Sequence, residues 1–185
     1  MRILGISGSL REGSHNTRLL RAAANALPPG VELEIYDGLR ELPAYDADRD
    51  VEPADPAVAD LREAIAQADG VLIATPEFNG SIPGALKNAL DWASRPFPDN
   101  SLRGKPVAVI GASTGLFGAV WAQADTRKVL GIVGADVIES ELPVGQAESA
   151  FAFDGELLDD DQRAALAELL GVLSARAGAE SASVA

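Results

Sequence analysis

The chain has 185 residues, 47% hydrophobic and 23% charged, which fits one domain with a substantial core. It has no cysteine and a single histidine, which excludes disulfides, thiolate catalysis and Cys-based metal sites and argues against a His-built zinc site. With 28 acidic residues against 15 basic, the net charge of −13 argues against nucleic-acid binding and against an anionic membrane surface. No run approaches the roughly 20 apolar residues of a membrane span, and the first residues lack a signal-peptide pattern. The expectation is a cytoplasmic protein with no metal, no nucleic-acid partner and no membrane partner.

In chain order, Arg2 to Ser7 reads as a short buried strand, followed by a loop rich in Gly and hydroxyls from Ser7 to Ser14. A helix opens at Ser14 to Thr17 and carries Leu19, Leu20, Ala23, Ala24 and Leu27. Further apolar β-type runs are Val31–Tyr36, Gly70–Thr75, Pro106–Gly111 and Asp136–Ile138. Helical patterns lie over Pro56–Gln67, Pro83–Ala93, Ala119–Leu130 and Asp160–Arg176. Strands alternating with helices predict an α/β fold with a parallel sheet covered on both faces. Five strands favour a flavodoxin-like three-layer sandwich with strand order 2-1-3-4-5. Residues 1–177 read as one domain, and 178–185, small and polar, as a disordered tail. The stretch Asp37–Pro56 holds three prolines, with five acids from Asp46 to Asp55, and reads as a solvated acidic connector or a functional loop.

Strand, hydroxyl-rich loop and helix N-terminus in that order suit an anion, because the first N–H groups of a helix have no partner inside it and the dipole favours negative charge there. Ser7, Ser9, Ser14 and Thr17 add hydroxyls, Asn16 an amide, and Arg11 a charged fork of donors. Two familiar phosphate loops are excluded by spelling. Ser14 stands where a P-loop needs Lys, and Gly5, Gly8 and Gly13 do not fit the dinucleotide fingerprint. On these residues alone, an ordinary capped turn remains the competing reading.

Ligands of an open parallel sheet bind beyond the carboxyl ends of its strands. The loop after the third strand, TPEFNGSIPGALKNALDW, is stiff with Pro and Gly and offers Asn79 and backbone N–H groups to a flat polar ring. In the loop after the fourth strand, Gly111, Gly115 and Gly118 are expected to let the backbone approach a ligand closely. Trp92 and Phe97 are expected in the core or in a subunit contact.

Three segments together resemble the NADPH-dependent FMN reductase family of flavodoxin-like proteins: GSLREGSHN (8–16), PEFNGSIPGALKNALDW (76–92) and the turn from Ser113 to Gly118. ELPAYDADRD resembles the family's loop after the second strand, and the likeness covers roughly residues 2 to 173. One departure is Phe78, where the family usually has Tyr. The resemblance implies FMN as cofactor and NADPH or NADH as co-substrate. It implies a phosphate held by Ser9, Arg11, Ser14, Asn16 and Thr17. The flavin ring would lie along Pro76, Glu77, Phe78, Asn79 and Ser81, with Ser113, Thr114 and Gly115 at its other edge. No residue is a catalytic acid or base in this reading, because flavin N5 carries the chemistry. The implied activity is hydride transfer from NAD(P)H through FMN to quinones, flavins, azo compounds or metal oxyanions by a ping-pong mechanism. A homodimer or homotetramer is expected, with Trp92, Phe97 and Trp121 as apolar anchors. The alternative is a flavodoxin-type electron carrier without turnover of its own, whose acidic surface would dock on basic partners.

Overall fold

The structure is a computed structural model that describes residues 1–184, with side chains described through residue 179. Its elements are β1 (Arg2–Ser7), α1 (His15–Ala26), β2 (Glu32–Tyr36), α2 (Pro56–Gln67), β3 (Gly70–Thr75), α3 (Gly84–Ala93), β4 (Pro106–Ala112), α4 (Val120–Val133), β5 (Asp136–Val137), β6 (Pro143–Val144) and α5 (Asp160–Val184). Every strand pair is parallel, and the order β2-β1-β3-β4-β5 is the predicted one.

Strands β3 and β4 are buried at every position. Their side chains alternate between two cores, as the period of two requires. Ile3, Leu72, Ala108 and Ile110 face a core shared with Leu19 and Leu20 of α1 and Leu166, Leu170 and Leu173 of α5. Leu4, Val71, Ile73, Val107 and Val109 face the other, shared with Leu61 and Ile65 of α2, Leu86 and Leu90 of α3, and Leu130 of α4. The result is three layers with the carboxyl ends of β1, β3 and β4 side by side.

The last strand differs from the expected Asp136–Ile138. Ile138 still donates to Val107 O at 2.8 Å, but Glu139, Ser140 and Glu141 leave the sheet and are exposed. The chain returns as β6, pairing with Gly111 and Ala112 at the carboxyl end of β4. This sixth strand extends the sheet just where the loops converge. The segment 178–185 is only partly covered: Gly178 and Ala179 continue α5, and the side chains beyond them lie outside the described residues.

Asp37–Pro56 is anchored at Leu39, Leu42, Pro43 and Asp50, while residues 44–49 and 51–53 are exposed, so the solvated-connector reading holds only between these anchors. Leu39 and Leu42 enter the α2–α3 core. Pro43 O accepts Trp92 Nε1 at 2.8 Å and Asn88 Nδ2 at 2.9 Å. Asp50 lies between Arg62 (2.8 Å) and Arg95 (2.7 Å). Hydrogen bonds from Arg95 and then Arg62 hold its carboxyl below the usual range. Trp92, 2% exposed, is therefore a core residue and not a subunit anchor, whereas Phe97 is 68% exposed.

Candidate active site

Three loops meet at the carboxyl edge: loop 1 (8–14) after β1, loop 2 (76–83) after β3 and loop 3 (113–119) after β4. They enclose a cleft of about 220 Å³ lined by Ser9, Arg11, His15, Asn16, Pro76 and Ser113, with Glu77, Phe78, Ala112 and Thr114 completing the walls. That is below the roughly 300–1,000 Å³ of a typical ligand pocket, so a large flat ligand would lie partly open. A cleft of about 200 Å³ between α1 and α5, lined by Ala22, Asn25, Leu157 and Leu166, lies off this edge. Convergence of loop donors selects the site, not volume.

Loop 1 delivers the helix end that the sequence predicts. Ser14 caps α1, its Oγ accepting from Thr17 N at 3.2 Å. The N–H groups of His15 and Asn16 then lie in the first turn, without an intrahelical acceptor. Thr17 Oγ1 donates to Ser7 Oγ at 3.0 Å, and Ser9 N to the same oxygen at 3.4 Å, so these hydroxyls brace the loop. Arg11 is exposed and uses one N–H on Gly13 O at 2.7 Å. His15 Nδ1 is buried without a hydrogen-bond partner. Burial first, then Arg11 and Arg18, hold the imidazole below its ordinary pKa, against an opposing pull from Glu148.

Asn16 has a different task from the one expected of it. Its side chain is 2% exposed and closed on one backbone residue, with Nδ2 donating to Ala112 O and Oδ1 accepting from Ala112 N, both at 2.9 Å. It fastens α1 to the end of β4 and presents no free amide to a phosphate.

Loop 2 is a tight turn. Phe78 and Ser81 pair across Asn79 and Gly80, both at positive φ (55° and 73°), the Asn-Gly pattern of a type I′ turn. Glu77 is half-buried in the cleft wall, with one carboxylate oxygen committed to the protein. Its Oε2 accepts from Trp121 N and Ala122 N, both at 3.1 Å, capping α4. That helix has no side-chain cap of its own, because Ala119 holds the N-cap position. Ser81 Oγ donates to Asp125 Oδ2 at 2.7 Å, a second tie to α4. Phe78, 56% exposed, and Asn79 stay at the surface. Pro76 is buried against Gly8, where a Cβ would come within 3.1 Å of the proline ring.

Loop 3 also corrects an expectation. Gly118 and Gly111 allow close approach, but to the protein itself. A Cβ on Gly118 would meet the Pro143–Val144 backbone at 2.5 Å, and one on Gly111 would meet Gln123 Nε2 and Thr75 O at 2.9 Å. A Cβ on Gly115 would meet only Ser113 Oγ, at an ordinary 3.7 Å. Ser113 N donates to Val144 O, Ala147 N to Ser113 O, and Gln146 N to Gly115 O, at 2.9–3.0 Å. Gln123, fully buried, donates to Gly118 O at 3.0 Å and accepts from Leu142 N at 3.2 Å. Sequence reasoning missed both Gln123 and the 143–147 segment; no local pattern announces a partner this far along the chain.

A family model for NADPH-dependent FMN reductase matches residues 1–149. The chain belongs to the NADPH-dependent FMN reductase family. Among relatives, it is 42% identical over 174 residues to the NAD(P)H-dependent FMN reductase PA1204 of Pseudomonas aeruginosa, covering 94% of this chain and 93% of that protein. It is 41% identical over 139 residues to a quinone reductase of Escherichia coli, covering 75% and 73%. The structure of FerB, a flavoenzyme NAD(P)H:(acceptor) oxidoreductase from Paracoccus denitrificans, superposes with a TM-score of 0.83 at 34% identity, over 96% of this chain and 97% of that one. Members of this FMN reductase family use FMN with NAD(P)H, so this chain is an enzyme that uses both. The cleft's chemistry fits a phosphorylated ligand. The first-turn N–H groups of α1 and the Arg11 guanidinium are donors with capacity to spare, and the unpartnered His15 Nδ1 belongs to the same turn. Among the described residues no cluster of His, Cys, Asp or Glu could hold a metal, and no helix is long and apolar enough to cross a membrane.

Proposed function

We propose that the chain is an FMN-dependent oxidoreductase that passes two electrons from NAD(P)H to small acceptors: quinones, flavins, azo compounds or metal oxyanions. The observation that carries this reading is the asymmetric cleft: free charged donors at the end of α1, and a flat, backbone-rigid surface of Pro76, Phe78, Ser113 and Thr114 opposite. Bound FMN would supply the electron transfer itself, taking a hydride from NAD(P)H at N5 and reducing the acceptor in turn.

The chain's own part is binding, orientation and electrostatics. Ser9, Arg11 and the first turn of α1 hold the phosphate, while Ser14, Asn16 and Thr17 set the loop that presents them. Pro76, Phe78 and Asn79 bound one edge of the ring, and Thr114 with the Gly115 N–H offers backbone polar groups to another, on a loop that the Ser113 and Gly115 bonds to 144–147 hold in place. Glu77 and Ser81 fix the loop-2 wall to α4. The open face leaves one place for co-substrate and acceptor, so they take turns. Initial-rate plots should give parallel double-reciprocal lines, and intersecting lines would rule out alternation on one face.

We also propose that the functional unit is a homodimer or homotetramer. Phe78, Leu116 (71% exposed), Phe117 (59%) and Trp121 (53%) stand at or beside the cleft mouth, with Phe117 and Trp121 ring centroids 5.3 Å apart. Light scattering at micromolar concentration should exceed the mass of one 19.2 kDa chain. For the reaction, FMN-loaded protein should bleach within seconds on anaerobic NADPH and recover colour on a quinone. Slow bleaching with normal FMN binding would instead favour an electron carrier, the reading that the acidic surface alone suggests.

A further inference from the structure

We infer that Arg40, beside Arg11, reads the 2′-phosphate of NADPH at the mouth of the cleft and so gives the enzyme its preference between NADPH and NADH. The inference rests on the oxidoreductase reading above.

Arg40 ends a short 3-10 turn, Gly38–Arg40, in the stretch after β2. Leu39, 5% exposed, is sunk in the α2–α3 core and anchors the turn, leaving Arg40 exposed. Arg40 reaches loop 1, where Nη2 donates to Leu10 O at 2.5 Å. Leu10 lies between Ser9 and Arg11, which both line the cleft. The Arg40 guanidinium is thus held at the outer wall of the cofactor cleft by a single bond to a neutral carbonyl. Arg11 also uses one N–H, on Gly13 O. A guanidinium carries five N–H donors in a plane that matches phosphate oxygens, so both forks have donors left over.

Among the described residues eight basic side chains pair with a carboxylate, and of the seven that do not, Arg11 and Arg40 are the two that bond the backbone of loop 1. Arg62 and Arg95 close on Asp50, Arg127 on Glu141, and Arg176 on Asp136. Among the described residues, neither Arg11 nor Arg40 has a carboxylate within ion-pair distance, although Glu12 and Glu41 follow them directly in the chain. In a protein with nearly twice as many acids as bases, two unneutralised arginines converging on one loop form a local positive site. The end of α1 already serves the cofactor's phosphate. Arg40 comes from a different element and is separated from the cleft by Leu10, so it suits a second phosphate that arrives and leaves with the co-substrate. A terminal phosphate monoester rewards a planar bidentate fork more than a diester does, because more of its oxygens are free. NADPH carries such a group and NADH lacks it.

The test uses FMN-loaded protein and the variant Arg40→Gln. Calorimetric titration with 2′-phospho-ADP-ribose and with ADP-ribose reads the phosphate without turnover. The substitution should weaken the first about 10-fold or more, as expected for loss of a charge-assisted hydrogen bond, and leave the second within about twofold. Steady-state kcat/KM should follow, falling for NADPH and holding for NADH, while the dissociation constant for FMN stays put. Equal losses for both probes would overturn the inference, placing Arg40 on the shared pyrophosphate or in loop support. So would no loss for either. If neither dinucleotide bleached the flavin, the oxidoreductase reading would fail by itself, and the two titrations would still decide the role of Arg40.

Discussion

On the loop-1 side of the cleft, polar groups are left available. Arg11 uses one of its N–H groups, His15 Nδ1 has no partner, and the first N–H groups of α1 meet no intrahelical acceptor. Across the cleft the polar side chains are committed to the protein. Glu77 caps α4, Ser81 holds Asp125, and Gln123 joins Gly118 to Leu142. Asn16 lies in the chain on the first side but behaves like the second, closed on Ala112. The difference separates two jobs. A charged phosphate is met by spare donors on a helix end, and a flat ring by backbone whose position is fixed from behind.

The sharpest way to break this division is Asn16→Ala. If Asn16 is a staple, the change leaves the buried N–H and C=O of Ala112 unpaired, at roughly 1–3 kcal/mol each. Urea unfolding of the apoprotein should show a loss of about 2–6 kcal/mol by the same reasoning. Unchanged apoprotein stability with weakened FMN binding would return Asn16 to the ligand side.

Arg11→Ala should do the opposite. Loss of a hydrogen bond to a charged group costs about 1.5–3 kcal/mol, so the FMN dissociation constant should rise about 10- to 150-fold. Apoprotein stability should not change, because Arg11 is exposed and bonds only its own loop. Fluorescence titration checks the first statement and urea unfolding the second.

Glu77→Ala removes a remote helix cap, worth about 0.5–2 kcal/mol by the usual scale of caps. Stability should drop by that much, and the visible spectrum of bound FMN should shift as loops 2 and 3 loosen, with Glu77→Gln in between. A spectrum unchanged in Glu77→Ala would show that the tie does not set the ring wall.

His15→Gln should have the smallest effect. FMN-saturated turnover should stay within about threefold, well under the ~10²-fold or more typical of general acid–base catalysis. Burial, Arg11 and Arg18 depress the His15 pKa below its ordinary 6.5, so the unfolded chain binds more protons at this position than the folded one. Its contribution to stability is therefore fully present above pH 6.5 and is lost as pH falls through the depressed folded value. The variant should flatten that slope in apoprotein unfolding measured from pH 7 to pH 5. A slope equal to the parent's would assign it to other groups.

Much of this was legible in the sequence because it is local. Apolar runs of the right length placed β1, β3 and β4, and Ser14 announced the start of α1. The parallel sheet followed from strands alternating with helices, and its order from the count of five strands. What escaped were bonds between residues far apart in the chain. Asn16 meets Ala112 across 96 positions and Glu77 meets Trp121 across 44, and no periodicity encodes such a partner. Gly118 was legible as a point of close approach, but its neighbour proved to be the Pro143–Gly145 backbone. That neighbour was hidden because β6, two residues long, is too short to carry a pattern. Asp37, Glu41, Asp46, Asp48 and Glu52 are solvated as their sequence suggests, but Asp50 is not, and its partners Arg62 and Arg95 come from elements read separately.

The division between the walls is tested most directly by comparing FMN with riboflavin, which has the same ring and no phosphate. Titrate parent, Arg11→Ala and Glu77→Ala apoproteins with both ligands. The account predicts that the parent binds FMN at least about 10-fold tighter than riboflavin, by the strength of a charge-assisted hydrogen bond. Arg11→Ala should shrink that ratio, and Glu77→Ala should weaken both ligands equally and preserve it. A ratio that survives Arg11→Ala but collapses in Glu77→Ala would contradict the account.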